Sequence, residues 1–357
     1  FKVPERPGAL TVERARTWID AQGESQFFAW VHLYEPHYPY TAPEPFGSRY
    51  ANDPYAGEVA ASDAALGQLL ESILTGARKQ RVLVVFTSNH GEGLGEHQES
   101  THGVFAYEST LRVPLILWSP TFPVATVKTP VRHIDILPTI LDALGQGAVA
   151  GLPGRSLLPL ATAGEGEVTP SYFESLSASL NQGWAPLRGL FDGRFKYIDL
   201  PLPELYDLDQ DPKELKNVVA TEPVVLDRLR TALTRERGKD RGSNRGEEDA
   251  ATLEKLRALG YVAAGAAAPA KDQYTEADDP KKLIEIDERN RQVVMLFNRG
   301  GLHLNEAVDL IKQNLAARPD MSGANLQLAY LERARGNLRG AVAAAKRAVE
   351  LKPLDGE

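Results

Sequence analysis

The sequence predicts an α/β fold that is followed by a small antiparallel sheet and then by a helical region. Residues 82–86 form a short, β-branched and continuously apolar run, which is typical of a strand buried on both faces in a parallel sheet. Residues 10–21 and 55–74 carry apolar side chains at helical spacing, which predicts amphipathic helices. Beyond residue 279 the apolar pattern is helical.

The composition indicates an ordinary globular protein. The chain has 357 residues, of which 43% are hydrophobic and 25% are charged, so it is long enough for two domains. Its net charge of −8 and the lack of a basic stripe argue against a nucleic-acid partner. The absence of cysteine excludes disulfides and thiolate metal sites. No apolar run reaches the roughly 20 residues that a membrane span needs.

The first half of the chain is predicted to alternate helices and strands. In chain order we expect a helix at residues 10–21, a buried strand at 27–33, a helix at 55–74, strands at 82–86 and 113–118, and a helix at 133–145. Four short strands are then predicted at residues 171–174, 187–190, 195–198 and 204–208. The Asp192-Gly193 turn makes the third of these strands part of a hairpin.

The C-terminal part contains an internal repeat. Leu304, Ala307-Val308 and Pro319 recur as Leu338, Ala341-Val342 and Pro353, each 34 residues later. This is the period of tetratricopeptide (TPR) repeats, in which each repeat is a pair of helices. We therefore predict a first domain at residues 1–262, a linker at 263–279 and TPR-like repeats at 280–357. Residues 253–262 are expected to dock back on the first domain.

Two polar clusters follow the predicted strand at residues 82–86. Asn89 and His90 come directly after residues 82–86, where the ligand of an open α/β sheet binds, and His102 follows in a second cluster. An imidazole nitrogen and an amide oxygen are both reasonable metal ligands, although an uncharged amide weakens the binding of a divalent ion. The alternative is a loop histidine satisfied by the backbone.

Two histidines are candidates for the catalytic and substrate-binding roles. Protonated His37 and His102 would donate charge-assisted hydrogen bonds to an anionic oxygen and could assist a leaving group. His102 is alternatively a zinc ligand. Glu92 and His97 are expected to be loop residues or indirect supports of the ligands.

Four segments resemble the sulfatase branch of the alkaline phosphatase superfamily: SNHGEGLGEH, THGVFAYESTLRVPLIL, FFAWVHLYEPHYPY, and the pair GRFKYI and ELYDLDQDPKELKNV. The resemblance implies an alkaline-phosphatase-like mixed sheet flanked by helices and a small C-terminal antiparallel sheet. It also implies that Asn89 and His90 match a metal pair, with Asn89 replacing the family's Asp. His37 matches a histidine that binds the sulfate ester, and His102 lies near the position that contacts the transferred group.

The resemblance implies a metal-dependent sulfuric ester hydrolase that acts on a sulfated or phosphorylated small molecule or glycan. Calcium is the expected metal, with zinc or manganese as alternatives. The first alternative function is a phosphoester or phosphonate hydrolase, or a phosphotransferase, of the same superfamily. The second is a degenerate, sulfatase-like scaffold that binds a protein partner through its TPR repeats.

Relatives of this kind carry an N-terminal nucleophile in a C/S-x-P-x-R motif, which this sequence does not contain. We therefore expect the chain to be a fragment of a longer enzyme. The resemblance also implies export to the periplasm or another extracytoplasmic space.

Overall fold

A computed structural model describes residues 6–147, 149–164, 166–238 and 273–351. The chain divides into two compact units, and each has its own core. Among the described residues, the N-terminal unit comprises residues 6–87 and 114–125, and the C-terminal unit comprises those within 88–113 and 126–351.

The N-terminal unit holds two longer helices and one strand pair. Its elements are α1 (Gly8–Ala21), α2 (Phe46–Arg49), α3 (Pro54–Ile73), β1 (Val84–Thr87) and β2 (Leu115–Trp118), with a 3₁₀ turn at Arg78–Arg81. Helix α3 begins where Asp53 accepts a hydrogen bond from the Ala56 amide at 3.0 Å. Helices α1 and α3 pack together through one face each, which confirms the two predicted amphipathic helices. The buried residues of this core are Val12, Ile19, Ala65, Leu69 and Ile73.

Residues 27–33 have no regular secondary structure and do not form the predicted strand. Phe27, Val31 and Leu33 pack against the core of α1 and α3, whereas Phe28 and Trp30 are 73% and 81% exposed. Within the described ranges no strand pairs with this segment, so its backbone makes no ladder. The prediction of a buried strand was therefore wrong, because an apolar run predicts extended backbone but not the presence of a neighbour.

The predicted parallel strand pairs in the antiparallel sense. Strands β1 and β2 form a two-stranded ladder in which Phe86 lies opposite Ile116. These two side chains are both exposed, so β1 is not fully buried. The prediction of a strand buried on both faces of a parallel sheet was wrong, because a five-residue apolar run does not encode the direction of its partner. Over the residues described, β1 and β2 form a two-stranded sheet, whereas a larger mixed sheet was expected.

The C-terminal unit begins with a loop region and a four-stranded sheet. Its elements up to residue 238 are α4 (Glu108–Leu111), α5 (Ile136–Ala143), α6 (Leu158–Ala163), β3 (Ser171–Ser175), α7 (Ser177–Gln182), β4 (Leu187–Phe191), β5 (Phe195–Asp199), β6 (Glu204–Asp207) and α8 (Pro223–Arg237), with 3₁₀ turns at Glu96–Gln98 and His133–Asp135. The strands lie in the order β3-β4-β5-β6 and are all antiparallel. The four predicted strands are confirmed, each within one residue of its expected bounds.

Helix α8 covers one face of this sheet. Leu229 and Leu233 of α8 pack against Leu190, Tyr197 and Leu205, all of which are buried. Gly189 is required in β4, because a Cβ there would lie 2.2 Å from the Phe173 ring and 2.4 Å from the Tyr197 carbonyl oxygen.

A buried lysine ties the sheet to the start of α4 and to the loop that follows β6. The Lys196 side chain on β5 is fully buried, and its Nζ lies 2.8 Å from Glu214 Oε1 and 3.2 Å from Glu108 Oε1. Glu214 Oε2 also accepts the Glu108 amide at 2.6 Å. Burial raises the pKa of Glu214, and the neighbouring Lys196 opposes this rise. The lysine thus compensates a carboxylate that would be costly to bury alone.

Four helices form the C-terminal part of this unit: α9 (Pro280–Arg299), α10 (His303–Ala317), α11 (Ser322–Ala334) and α12 (Leu338–Leu351), preceded by a 3₁₀ turn at Glu276–Asp278. They pack as successive neighbours, α9 on α10, α10 on α11 and α11 on α12. This arrangement is consistent with helical repeats. The TPR assignment and the three domain boundaries stay predictions.

The end of the predicted linker is firmly held in the structure. Asp279 is fully buried, and its carboxylate accepts the amides of Leu202 at 2.8 Å and Lys281 at 3.0 Å. The predicted docking segment 253–262, the linker residues 265–272 and the repeat residue Pro353 lie outside the described residues. Of the helices that are described, none combines the length and apolarity needed to cross a bilayer.

Candidate functional site

The loop at residues 88–103 folds back on itself through two glycines. The Gly93 amide donates to the Thr101 carbonyl at 2.7 Å, and a Cβ on Gly93 would lie 2.5 Å from Glu99 O and 2.6 Å from Thr101 O. Gly91 is equally constrained, because its Cβ would lie 2.2 Å from the Ser109 carbonyl oxygen. Only glycine permits backbone segments to approach this closely. Residues 92–93 are thereby placed opposite residues 101–102.

This fold-back brings two predicted site residues together. The imidazoles of His90 and His102 lie with ring centroids 3.9 Å apart at an interplanar angle of 32°. His102 Nδ1 lies 3.0 Å from Glu92 Oε1, and the Glu92 side chain is only 4% exposed, against 23% for His102. His90 Nδ1 lies 2.8 Å from the carbonyl oxygen of Gly91. The buried Glu92 carboxylate therefore orients the His102 ring and favours its Nδ1-protonated form.

Sequence reasoning did not assign Glu92 to His102. The two residues are ten apart with no periodic element between them, so spacing carries no signal. In the sequence, Gly93 is the only sign of a close backbone contact near Glu92. The structure shows that its contacts are the carbonyl oxygens of Glu99 and Thr101. His97, in contrast, is a packing residue: its ring stacks on Tyr107 at 3.6 Å, and burial lowers its pKa.

A second buried carboxylate lies in the same loop. Glu99 is 2% exposed, and its Oε1 accepts the Val104 amide at 2.7 Å and the Phe105 amide at 3.3 Å. Burial raises the pKa of Glu99 to about 7, and the two backbone hydrogen bonds oppose the rise. The carboxylate fixes the backbone immediately after His102.

The predicted metal pair does not complete a metal site. Asn89 is exposed and His90 is half-buried, and together they offer one amide oxygen and one imidazole nitrogen. Calcium takes six to eight oxygen ligands and zinc takes four ligands. Among the residues described, no group of three or more histidine, aspartate or glutamate side chains is arranged to hold a metal ion. The two donors would therefore form only part of a coordination sphere.

His37 belongs to the N-terminal unit, whereas Asn89, His90 and His102 belong to the C-terminal unit. The His37 ring stacks on Tyr34 with centroids 4.3 Å apart, and its Nδ1 lies 2.7 Å from the Tyr38 carbonyl oxygen. The buried Glu58 accepts the amides of His37 at 2.9 Å and Thr41 at 2.7 Å. This carboxylate holds the proline-rich loop, and burial raises its pKa. The catalytic role of His37 stays a prediction.

Solved structures identify the class of fold. The chain is similar to the phosphonate monoester hydrolase of Silicibacter pomeroyi, with a TM-score of 0.56 and 23% identity over 67% of this chain and 61% of that one. It is also similar to Ps i-CgsB in complex with k-i-k-neocarrahexaose, with a TM-score of 0.57 and 18% identity over 70% of this chain and 58% of that one. At these identities the likeness shows a shared fold. The fold is that of the alkaline-phosphatase-like sulfatases.

Family models identify the family more narrowly. The Sulfatase model matches residues 8–146, and the model of the N-sulphoglucosamine sulphohydrolase C-terminal region matches residues 95–239. The two overlap and together cover residues 8–239. Over this region the chain matches models of the sulfatase family, which confirms the resemblance found in its motifs.

Curated relatives agree with the family models. The chain is 28% identical over 241 residues to the sulfatase YidJ of Escherichia coli (strain K12), covering 56% of this chain and 48% of that protein. It is 31% identical over 185 residues to arylsulfatase K of Xenopus laevis, covering 47% of this chain and 34% of that protein. The chain thus spans about half the length of these curated relatives, or less.

Proposed function

We propose that the natural protein containing this chain hydrolyses sulfate monoesters of a small molecule or a glycan. The observation that carries this proposal is the pairing of His102 with the buried Glu92 beside His90, on a loop that matches the sulfatase model. A histidine held by a buried carboxylate through Nδ1 is suited to proton transfer at Nε2. The match to models of the sulfatase family supports the choice of sulfate esters.

The chemistry assigned to this chain lies on the leaving-group side. His102, protonated and held through Nδ1 by Glu92, would donate its Nε2 proton to the bridging oxygen as the sulfur–oxygen bond breaks. The sulfuryl group would pass to an attacking oxygen nucleophile, for which no residue of this chain is proposed. The Glu92 carboxylate would stabilise the imidazolium before that transfer. His37 would donate a charge-assisted hydrogen bond to an anionic oxygen of the sulfate group.

Sulfatases in general use a divalent metal, and we propose that calcium, or alternatively zinc or manganese, serves here. Bound near the ester, such an ion would neutralise charge on the transferring group. Asn89 and His90 would contribute two of its ligands. Because these two donors do not complete a site, no step is assigned to the metal.

The test is turnover by the natural gene product that contains these residues. We expect hydrolysis of 4-nitrophenyl sulfate, and we expect it to fall in His102→Ala and in Glu92→Gln. Turnover of a 4-nitrophenyl phosphonate ester without turnover of the sulfate would overturn the proposal in favour of the phosphonate hydrolase alternative. Turnover of neither ester in metal-supplemented buffer would favour the scaffold alternative.

We further propose that α9–α12 are TPR-like repeats that bind a protein partner. Leu304 in α10 and Leu338 in α12 begin the second helix of each pair, and the 34-residue offset supports this equivalence. Circular dichroism of a variant extended by one consensus repeat tests the assignment: added helix content with a raised melting temperature is expected, and a lowered one would contradict it.

A further inference from the structure

The first helix of the C-terminal helical region contacts the loop that carries His102. Arg291 Nη1 on α9 donates to Thr101 Oγ1 at 3.1 Å, and Ser100 Oγ donates to Glu288 Oε2 at 2.8 Å. Thr101 and Ser100 directly precede His102. Both hydrogen bonds join residues about 190 positions apart in the chain, as the separations of 190 and 188 show. The contact is therefore a tertiary one, because the fold brings together two segments that are distant in sequence.

The guanidinium of Arg291 is held before it reaches the loop. It donates to Asp287 Oδ2 at 2.6 Å and to Glu288 Oε2 at 2.8 Å, one turn back on the same helix. Asp287 is in turn fixed by the Gln182 amide at 3.2 Å. Burial alone would lower the pKa of Arg291, but the two carboxylates raise it, so the side chain is charged.

This arrangement differs from an ordinary ion pair on a helix surface. Exposed pairs of this spacing contribute only about 0.3–0.5 kcal/mol, since water screens them. The Arg291 side chain is 18% exposed and the Asp287 side chain 14%, so screening is weak and the rotamer is fixed. Its hydrogen bonds to Asp287 and Glu288 hold the orientation of the guanidinium, and Nη1 donates a further hydrogen bond to Thr101.

Thr101 connects this contact to the candidate site. Its side chain accepts from Arg291, while its carbonyl accepts from Gly93, the neighbour of Glu92. Thr101 is also the neighbour of His102 in the chain. A displacement of Thr101 would therefore change the distance between Glu92 and His102, which is 3.0 Å in the structure. The helix α9 is packed in the same apolar core as residues 104–107, so it provides a rigid support.

We propose that Arg291 is a positioning residue, which acts through Thr101 to hold His102 against Glu92. The inference rests on the proposed function for its effect on turnover, but its structural content does not depend on that function. The helical region then forms part of the machinery that orients the site. The matches to both family models end before α9, so this contact lies outside the region that they cover.

The experiment compares Arg291→Gln with Arg289→Gln in the full chain. Arg289 is on the same helix and also makes a buried-side contact, donating to Asn314 Oδ1 at 2.6 Å, but it has no hydrogen bond to the loop among the contacts described. The first readout is the tautomer of His102, taken from nitrogen-15 shifts of histidine-labelled protein at a fixed pH and assigned with His102→Gln. We expect wild type and Arg289→Gln to be Nδ1-protonated, and Arg291→Gln to show a mixture of tautomers.

The second readout is turnover by the natural gene product. We expect Arg291→Gln to lower kcat about 10- to 100-fold with little change in KM, because the misplacement affects chemistry rather than binding. We expect Arg291→Lys to recover part of this loss, since its ammonium can reach one acceptor at a time. Arg289→Gln should retain the kcat of the wild type.

Thr101→Val keeps the proposal falsifiable if Arg291→Gln does not fold. It removes the acceptor and leaves α9 intact, so the same tautomer mixture is expected. A pure Nδ1 tautomer in a folded Arg291→Gln or Thr101→Val variant would overturn the inference. A wild-type His102 that is not Nδ1-protonated would also overturn it. Because the tautomer is measured without substrate, a failed sulfatase assay with the expected tautomers would count against the proposed function alone.

Discussion

At the scale of single residues, the contact between His102 and Glu92 concentrates the chemistry of the C-terminal unit. A carboxylate that is 4% exposed lies against a ring that is 23% exposed, so the carboxylate is shielded while the imidazole reaches solvent. This division is what proton transfer at a surface loop requires. Glu92, which orients the ring, is therefore as important to the proposed chemistry as His102, which would transfer the proton.

The charge of Glu92 is the first point to test. Glu92→Gln keeps the shape and an acceptor for Nδ1, but it removes the charge that stabilises a protonated His102. We expect kcat for sulfate ester hydrolysis to fall by about 100-fold, in line with the usual contribution of general acid–base catalysis. Steady-state kinetics with 4-nitrophenyl sulfate measure this. Glu96→Gln, an exposed change on the same loop, is the matched control, and an equal loss in both variants would contradict the assignment.

Asn89 is the second residue to test. Replacing its amide by a carboxylate in Asn89→Asp adds charge to the predicted ligand set, and ligand charge is a main determinant of calcium affinity. We expect the calcium dissociation constant, measured by titration calorimetry, to fall by about tenfold or more. Gln80→Glu adds the same charge at another exposed position and should have no effect. Unchanged calcium binding in Asn89→Asp would remove this residue from the metal site.

Glu99 gives a prediction about pH. Its folded pKa of about 7 is raised from 4.5, so the folded protein keeps the proton to higher pH than the unfolded chain does. The stability it contributes is complete below pH 4.5 and is lost as the pH rises to about 7. Glu99→Gln keeps an acceptor for the two amides and removes this titration. We expect its melting temperature to gain on the wild type between these pH values, and a constant difference would be evidence against the raised pKa.

At the scale of elements, the buried Lys196 joins strand β5 to the residues around Glu108 and Glu214. Lys196→Met leaves Glu214 buried without its cation, and breaking a buried pair costs about 3–5 kcal/mol. We expect urea unfolding to show a loss of this size. The double variant Lys196→Met/Glu214→Gln should recover most of it, since no buried charge is left without its partner and the Glu108 amide keeps an acceptor. The Glu108 carboxylate also loses Lys196, but its side chain is 25% exposed and can be solvated. Lys213→Met, on an exposed side chain, should change stability little.

Secondary structure was predictable wherever neighbouring residues decide it. The small sheet was found because its strands alternate and are divided by turns, of which Asp192-Gly193 is the clearest, with Gly193 at φ 104°. Helices α1 and α3 were found from their apolar spacing, although two of their apolar side chains, Val59 and Trp18, are exposed. The pairing of β1 and the isolation of residues 27–33 depend on partners distant in sequence, so local pattern did not predict them.

At the scale of the whole molecule, the candidate site shows the same limit. Motif matches located His90 and His102, and in the structure their rings are in contact. Of their supports, Glu92 was predicted as a loop residue or an indirect support but was not paired with His102, because a glycine contact brings the two together. Arg291 was not predicted, because it acts across 190 residues of chain. His37 lies in the other unit, and its role still rests on the resemblance.

The helical region is predicted to be integral to its unit. A single apolar cluster includes residues 104–107 of the loop and buried side chains of α9, α10 and α11. We expect truncation after residue 272 to expose this core, with a lower melting temperature and increased binding of an apolar dye. The measurement is differential scanning fluorimetry of the truncated and full chains. Equal melting temperatures would show that the helices form a separate domain, as the sequence suggested.

The shared cluster also limits how the chain can be engineered. Exchanging the helices for another repeat array at residue 280 would remove the apolar side chains of α9 from a core that also holds Phe105 and Tyr107. Helix α12 contributes Ala344 and Ala348 to burial but no residue to that cluster. Fusion partners or further repeats are therefore better appended after α12 than substituted for α9. The protein can be lengthened at this end more safely than it can be recombined.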